Sequence, residues 1–278
     1  MLLNVLDWLI AIICGIGYTT FRLLNCESFT ASNIIISILL GLLCFVIAFV
    51  AGFLLIWLRF IFIALTINPK KEYKTPSKYY DRVFQQWFKY VCAFFRVKIK
   101  TSGTENLPKD KKYLAVCNHR SGFDAFLVAI AMAPEQVSFI TKPENMAIPL
   151  AHNYMIRGLY LSIDRENTRN ALKTIIKAIE YISQGIISVC VFPEGTRSKN
   201  GKLGEFKPGC LKIAEKAECP IAIFALQGTE HIMKNFPWRR TNVTIDMLKV
   251  IQPEEVAEKT TVDISDEIRS EMLKKLGE

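Results

Sequence analysis

From Ile34 to Leu58 the chain runs for 25 residues without a charged side chain. A helix of that length rises about 1.5 Å per residue and reaches across a hydrocarbon layer of about 30 Å. The run is longer than a buried helix of a soluble core needs, so it reads as a membrane helix. A second apolar run, Trp8 to Phe21, is only 14 residues long and lies between Asp7 and Arg22. That length suits a short span, a re-entrant helix or an interfacial helix. No positive cluster precedes it, so it does not read as a cleaved signal peptide. Residues 1–67 carry Asp7, Arg22, Glu27 and Arg59, which cancel. The net charge of +9 therefore belongs to residues 68–278. Lys70, Lys71, Lys74 and Lys78 follow the long apolar run directly. Lysines in that place predict a cell-membrane protein whose main domain lies on the cytoplasmic face. Pro69 and Pro76 mark the linker between the two parts.

Composition narrows what residues 68–278 can be. With 51% hydrophobic and 22% charged residues the chain is not disordered. A basic domain beside an apolar segment suits anionic lipid surfaces or acidic partners. Nucleic acid is not an expected partner, because no nucleic-acid-binding motif appears and the excess charge is spread out. None of the eight cysteines has Cys-x-x-Cys spacing, and no Cys/His cluster resembles a metal site. Most lie in apolar runs, which fits free thiols in a reducing compartment.

Periodicity then orders the elements. "YYDRVFQQWFKYVCAFF" repeats Tyr80, Phe84, Trp87, Val91 and Phe95 at helical spacing, with Lys78, Arg82 and Lys89 beside them. Such a helix either packs on the domain core or lies in a headgroup layer. Short apolar runs alternate with helical ones beyond it. "FRVKIKTSG", "YLAVCN", "VSFITK", "IISVCV", "PIAIFALQG" and "NVTIDMLKVI" read as strands. "GFDAFLVAIAMA", "TRNALKTIIKAIEYISQG", "CLKIAEKAEC" and "DISDEIRSEMLKKLGE" read as helices. The alternation predicts an α/β fold with a mixed, mostly parallel sheet flanked by helices, preceded by the N-terminal membrane helices. Ligands of such sheets bind at the loops beyond the strand ends.

One strand end carries "NHRSGFD". His119 and Asp124, five apart, would sit about 140° from each other on one helix. They meet only if His119 lies in the turn before the helix. Ser121 suits an N-cap, Asp124 completes a Ser-x-x-Asp capping box, and Gly122 permits a tight turn. Asp124 then holds one ring nitrogen of His119 and leaves the other to accept a proton, as at acyl-transfer sites. The alternative is a structural cap with an incidental histidine. Other strand ends deliver cations. "VCVFPEGTRSKNG" offers Gly195, where backbone can approach a ligand, the Thr196 hydroxyl and the planar fork of Arg197. "LYLSIDR" delivers Arg165, "ITK" delivers Lys142, and Lys207 precedes Pro208-Gly209. A base gathered with several cations describes a site for a phosphorylated alcohol.

"NHRSGFD", "GLYLSIDR", "FPEGTRS" and "CPIAIFAL", in that order, resemble the four motif blocks of the glycerolipid acyltransferases, the bacterial 1-acyl-sn-glycerol-3-phosphate acyltransferases in particular. The resemblance covers roughly residues 76–250, and its first and third blocks are the specific ones. Gly122-Phe123 stands where the family often has bulkier pairs, which bears on packing of the acyl donor. The resemblance implies His119 as general base and Asp124 as its orienter. It implies that Arg165, Glu194, Gly195 and Arg197 bind the glycerol phosphate, with Lys142 adding charge. It further implies that the apolar helices dock on membrane lipids, that the acyl donor is acyl-CoA or an acyl carrier protein thioester, and that no metal or other cofactor is required.

The expected activity is acyl transfer to the sn-2 hydroxyl of lysophosphatidic acid, giving phosphatidic acid. Glycerol 3-phosphate, another lysophospholipid or a lipid A precursor is an alternative acceptor. An acyl-ester hydrolase and a non-catalytic lipid-binding membrane protein are readings from other classes.

Overall fold

The computed structural model describes residues 2–278 except Glu27, Arg165, Glu166, Lys199 and Asn200. It divides into two compact units, Met1–Thr66 and Ile67–Glu278. The first is a helical hairpin of α1 (Leu2–Leu24) and α2 (Ala31–Leu65). Thr30 caps α2 by accepting from the Asn33 N–H at 3.3 Å. The two helices approach closely where side chains are small. A Cβ on Gly41 would sit 1.8 Å from Thr19 Oγ1, and one on Gly52 would sit 1.7 Å from Asp7 Oδ1. Trp8 fills the hairpin further along, 4.7 Å from the Phe49 ring. Leu6–Leu24 and Ala31–Leu65 are both long and apolar enough to cross a membrane. The first apolar run thus belongs to a longer helix than the 14 residues between its charges indicated. A helix continues through Asp7 and Arg22, because a single charge near an end does not break backbone hydrogen bonding.

The second unit opens with α3 (Lys78–Phe94) and continues β1 (Val97–Ser102), β2 (Leu114–Cys117), α4 (Asp124–Ala131), β3 (Val137–Thr141), α5 (Pro143–Met146) and α6 (Ala151–Arg157). Then come β4 (Leu161–Ser162), α7 (Thr168–Ser183), β5 (Ser188–Val191), α8 (Lys212–Ala217), β6 (Ile221–Gln227), α9 (Ile232–Asn235), β7 (Thr241–Ile251), α10 (Pro253–Glu258) and α11 (Thr261–Leu276). The sheet has seven strands in the order β1-β7-β6-β2-β5-β3-β4. Every pair is parallel except β6 with β7. The fold is therefore the mixed, mostly parallel α/β sheet that the alternation of runs implied.

Strands β2 and β5 are buried at every position. Their Leu, Val, Ala and Cys side chains meet helices on both faces, which is why neither run alternates. One core cluster joins Val116, Val189, Val191 and Ile223 of the sheet to Ala178 and Ile182 of α7 and Ile268 and Met272 of α11. Helix α7 starts where Asn167 accepts from the Asn170 N–H at 3.1 Å, and is followed by Gly185 at φ +68°. On α3 the buried stripe is Val83, Phe84, Phe88 and Cys92. It is rotated from the Tyr80-Phe84-Trp87-Val91-Phe95 stripe read from spacing, because Phe88 stacks on Phe126 at 4.3 Å and Phe84 on Tyr154 at 5.0 Å. All eight cysteines are free thiols.

Helix α3 also carries a pH-sensitive group. Burial lifts the Asp81 carboxyl from 3.8 to about 6. A raised carboxyl favours the fold only while protonated. Its contribution is complete below about pH 4 and is lost as pH rises through about 6. Discounting for partial solvent contact, we expect Asp81→Asn to raise stability at pH 7.5 by about 2 kcal/mol. Asparagine keeps the oxygen that accepts from Gln85 Nε2 at 2.9 Å. Urea titrations at pH 4.5 and pH 7.5 should show a clearly larger gain at the higher pH.

Candidate active site

The parallel strands point one set of ends to the same edge. Val116 pairs with Val191, Phe139 with Cys190 and Thr141 with Ser162. Residues just beyond β2, β3, β4 and β5 therefore emerge side by side. Asn118 follows β2 and is fully buried. Its side-chain amide extends the sheet, accepting from the Leu226 N–H at 2.7 Å and donating to the Leu226 carbonyl at 3.0 Å. This clamp fixes the direction in which His119 leaves the strand.

His119 lies in the turn before α4, as the spacing argument required. Its backbone N–H donates to Glu194 Oε1 at 2.6 Å and its carbonyl accepts from the Ser198 N–H at 2.9 Å. Its ring stacks on Phe192 with centroids 4.4 Å apart. Nδ1 is 2.7 Å from Asp124 Oδ2. Asp124 is fully buried, and the same oxygen accepts the backbone N–H groups of Arg120 at 2.6 Å and Ser121 at 2.7 Å. A carboxylate only accepts, so the ring proton sits on Nδ1 and Nε2 is left with its lone pair.

The cap differs in detail from the expected box. Helix α4 begins at Asp124 itself. Asp124 still holds the Ser121 N–H, but Ser121 Oγ accepts from Phe123 at 3.0 Å instead of from the third helical N–H. Three donors converge on Asp124 Oδ2, and Ser121 Oγ reaches Oδ1 at 3.3 Å, so the carboxylate folds back over the turn. Gly122 does not have a left-handed backbone. A Cβ there would lie in ordinary contact with Arg197 Nη1, at 3.6 Å. The Arg197 guanidinium therefore lies against the His119 turn.

Glu194, expected from sequence to bind phosphate, turns inward in the structure. It is buried and does not line the cavity beside His119. Oε1 holds His119 N–H, and Oε2 holds the Gly204 N–H at 2.9 Å. Burial raises its carboxyl above the ordinary range, partly offset by those two donors. A buried carboxyl committed to two backbone donors positions the loops that carry them. Gly195 adopts φ +70°, a conformation open to glycine, and its N–H closes a turn on the Phe192 carbonyl at 3.0 Å. Arg165 lies outside the described residues.

A cavity of about 690 Å³ opens at His119. Lys142, Gly195, Thr196, Arg197 and Lys207 line it together with His119. The side chains of Lys142, Thr196, Arg197 and Lys207 are exposed. Most of the rest of the wall is apolar, with Phe126, Phe139, Met155, Tyr160 and Val191, and Leu172 and Ile175 from α7. Neither α7 residue was singled out in sequence; an apolar stripe on an amphipathic helix looks the same over a cavity as over a core. Among the described residues no group of three His, Cys, Asp or Glu side chains is arranged to hold a metal ion.

Sequence reasoning also missed the brace behind the turn. The Arg120 side chain points away from the cavity and pairs with Glu230 at 3.1 Å and with Glu278. Glu278 also accepts the Leu203 N–H at 2.6 Å. Partners 110 and 158 residues away leave no local signal.

Residues 98–227 match the model of the acyltransferase family. A 1-acyl-sn-glycerol-3-phosphate acyltransferase of Limnanthes douglasii is 32% identical over 150 residues, 54% of this chain and 50% of that protein. One of Chlamydomonas reinhardtii is 28% identical over 256 residues, covering 89% of this chain and 74% of that protein. The chain thus spans half the length of the first relative and about three quarters of the second. The crystal structure of the 1-acyl-sn-glycerophosphate acyltransferase of Thermotoga maritima is similar in fold, with a TM-score of 0.60 at 20% identity, covering 99% of this chain and 94% of that one.

Proposed function

We propose that the chain, whose residues 98–227 match the acyltransferase family model, transfers a fatty acyl group from a thioester to the sn-2 hydroxyl of lysophosphatidic acid, forming phosphatidic acid. One observation carries this reading. A His119–Asp124 pair at 2.7 Å opens on an apolar cavity whose exposed wall bears Lys142, Arg197 and Lys207. The apolar wall suits an acyl chain and the cations suit a phosphate. The names of the Limnanthes and Chlamydomonas relatives support the acceptor.

In this mechanism Nε2 of His119 takes the proton of the acceptor hydroxyl as its oxygen attacks the thioester carbonyl. Asp124 stabilises the imidazolium that forms. The tetrahedral intermediate collapses, the carbon–sulfur bond breaks, and His119 returns the proton to the leaving thiolate. The thioester donor, acyl-CoA or acyl carrier protein, is the only other reactant, and no step calls for a metal or a resident cofactor. Arg197, Lys142 and Thr196 hold the phosphate, with Gly195 shaping the loop that presents them. Arg165 joins this set through the motif it completes. The two apolar helices attach the enzyme to the membrane, and Lys70, Lys71, Lys74 and Lys78 favour the cytoplasmic face for the domain.

The test is a product assay with purified protein and a labelled acyl thioester, with and without lysophosphatidic acid. A labelled two-chain phospholipid is expected only with acceptor. Labelled free fatty acid alone, in both arms, would mean hydrolysis and defeat the proposal. In the same assay Arg197→Ala is expected to raise the KM for lysophosphatidic acid by about tenfold or more, with a smaller change in kcat. An unchanged KM would remove Arg197 from the phosphate site.

A further inference from the structure

A surface patch on the site edge of the sheet is left unused by this chemistry. Strand β6 ends at this edge, and β7 starts there because it returns antiparallel. Strand β1 starts there too, since Val97 pairs with Thr241. The end of α3 and residues 233–240, from α9 to the start of β7, therefore lie on the rim that carries His119. They are tied together. Arg96 Nη1 donates to the carbonyls of Pro237 at 3.0 Å and Trp238 at 3.2 Å, and the Phe94 ring lies 5.2 Å from Phe236.

The side chains there are unusual for a water-facing surface. Trp238 is 85% exposed, Met233 63% and Phe94 53%. Exposed Lys234, Arg239 and Arg240 surround them. Neither arginine guanidinium has a carboxylate partner among the described residues. Large apolar tips ringed by unpaired cations match the boundary between headgroups and acyl chains. Tryptophan in particular favours that layer. An acidic protein surface would satisfy the arginines but offers no acyl layer for three protruding apolar side chains.

The patch also connects to the site. Phe236 lies 4.8 Å from Phe95, Phe95 lies 5.0 Å from Phe123 of the His119 turn, and Phe123 lies 6.4 Å from Phe126 on the cavity wall. We propose that Phe94, Met233 and Trp238, flanked by Arg239 and Arg240, form a docking surface by which the α/β domain itself seats on an anionic phospholipid bilayer. Seating there sets the rim of the cavity at the membrane surface, where a single-chain phospholipid resides.

Full-length protein in vesicles of phosphatidylcholine with about one-third phosphatidylglycerol provides the test. The emission of wild type minus that of Trp238→Phe isolates Trp238 from Trp8, Trp57 and Trp87. That difference should be blue-shifted and quenched by lipids brominated near the glycerol end of their chains. Arg239→Glu with Arg240→Glu should weaken the quenching and raise the KM for vesicle-borne lysophosphatidic acid about tenfold or more, with little change in neutral detergent micelles. The emission arm needs no turnover, so it stands or falls apart from the acyl-transfer reading. A water-exposed, unquenched Trp238 emission overturns the proposal. So does an equal KM rise in vesicles and micelles, or a rise confined to an acyl carrier protein donor.

Discussion

Replacing His119 with alanine is expected to lower acyl transfer by about 10² to 10⁴, the usual contribution of a general base. The variant should stay folded. The hydrogen bonds that shape the turn run through His119 backbone, to Glu194 and from Ser198, and alanine keeps both. Asp124 keeps its Arg120 and Ser121 donors. What disappears is the Nε2 lone pair and the ring's stacking on Phe192. The measurement is kcat with a saturating thioester and acceptor, beside a thermal melt. A folded alanine variant with near-wild-type turnover would rule out the proposed mechanism.

Changing Asp124 to asparagine should lower kcat by a comparable factor, about 10² to 10⁴, with KM nearly constant. The side chains have the same shape. Asparagine can keep its oxygen where three donors converge and turn its amide toward Ser121 Oγ, 3.3 Å from the other oxygen. The turn therefore survives. The charge that stabilises the imidazolium does not, and that charge matters only as the proton moves. A fall in kcat with a small change in melting temperature separates this role from a purely structural cap. Wild-type kcat in Asp124→Asn would leave Asp124 as a turn-former and restore the incidental-histidine reading.

Parts of this site were legible in sequence because their determinants are local. His119, Ser121 and Asp124 fall within one turn, and the angular argument that they cannot share a helix holds in three dimensions. Strand order was less legible. Nothing in "NVTIDMLKVI" declares that β7 runs against β6, since a buried strand reads the same in either direction. The inward turn of Glu194 was not legible, because a carboxylate beside Gly195 and Arg197 in sequence looks like part of an anion loop. Its side chain instead turns inward to His119 and Gly204 N–H groups, a choice set by segments far along the chain. The apolar cavity was not legible at all, because Phe126, Tyr160 and Leu172 are ordinary core residues until the sheet brings them around one space.

The Asn118 clamp and the Glu194 hydrogen bond carry one more consequence, in the range of the contacts that make the site. His119 and Asp124 are five residues apart, but the bonds that aim them span 75 residues to Glu194 and 108 between Asn118 and Leu226. Closing loops of that length costs chain entropy that only the paired sheet offsets. A segment holding "NHRSGFD" alone has the composition of the site without its alignment. Competence for chemistry is thus a property of high contact order: it arrives when β5 and β6 have closed on β2, not when the helix carrying Asp124 first forms.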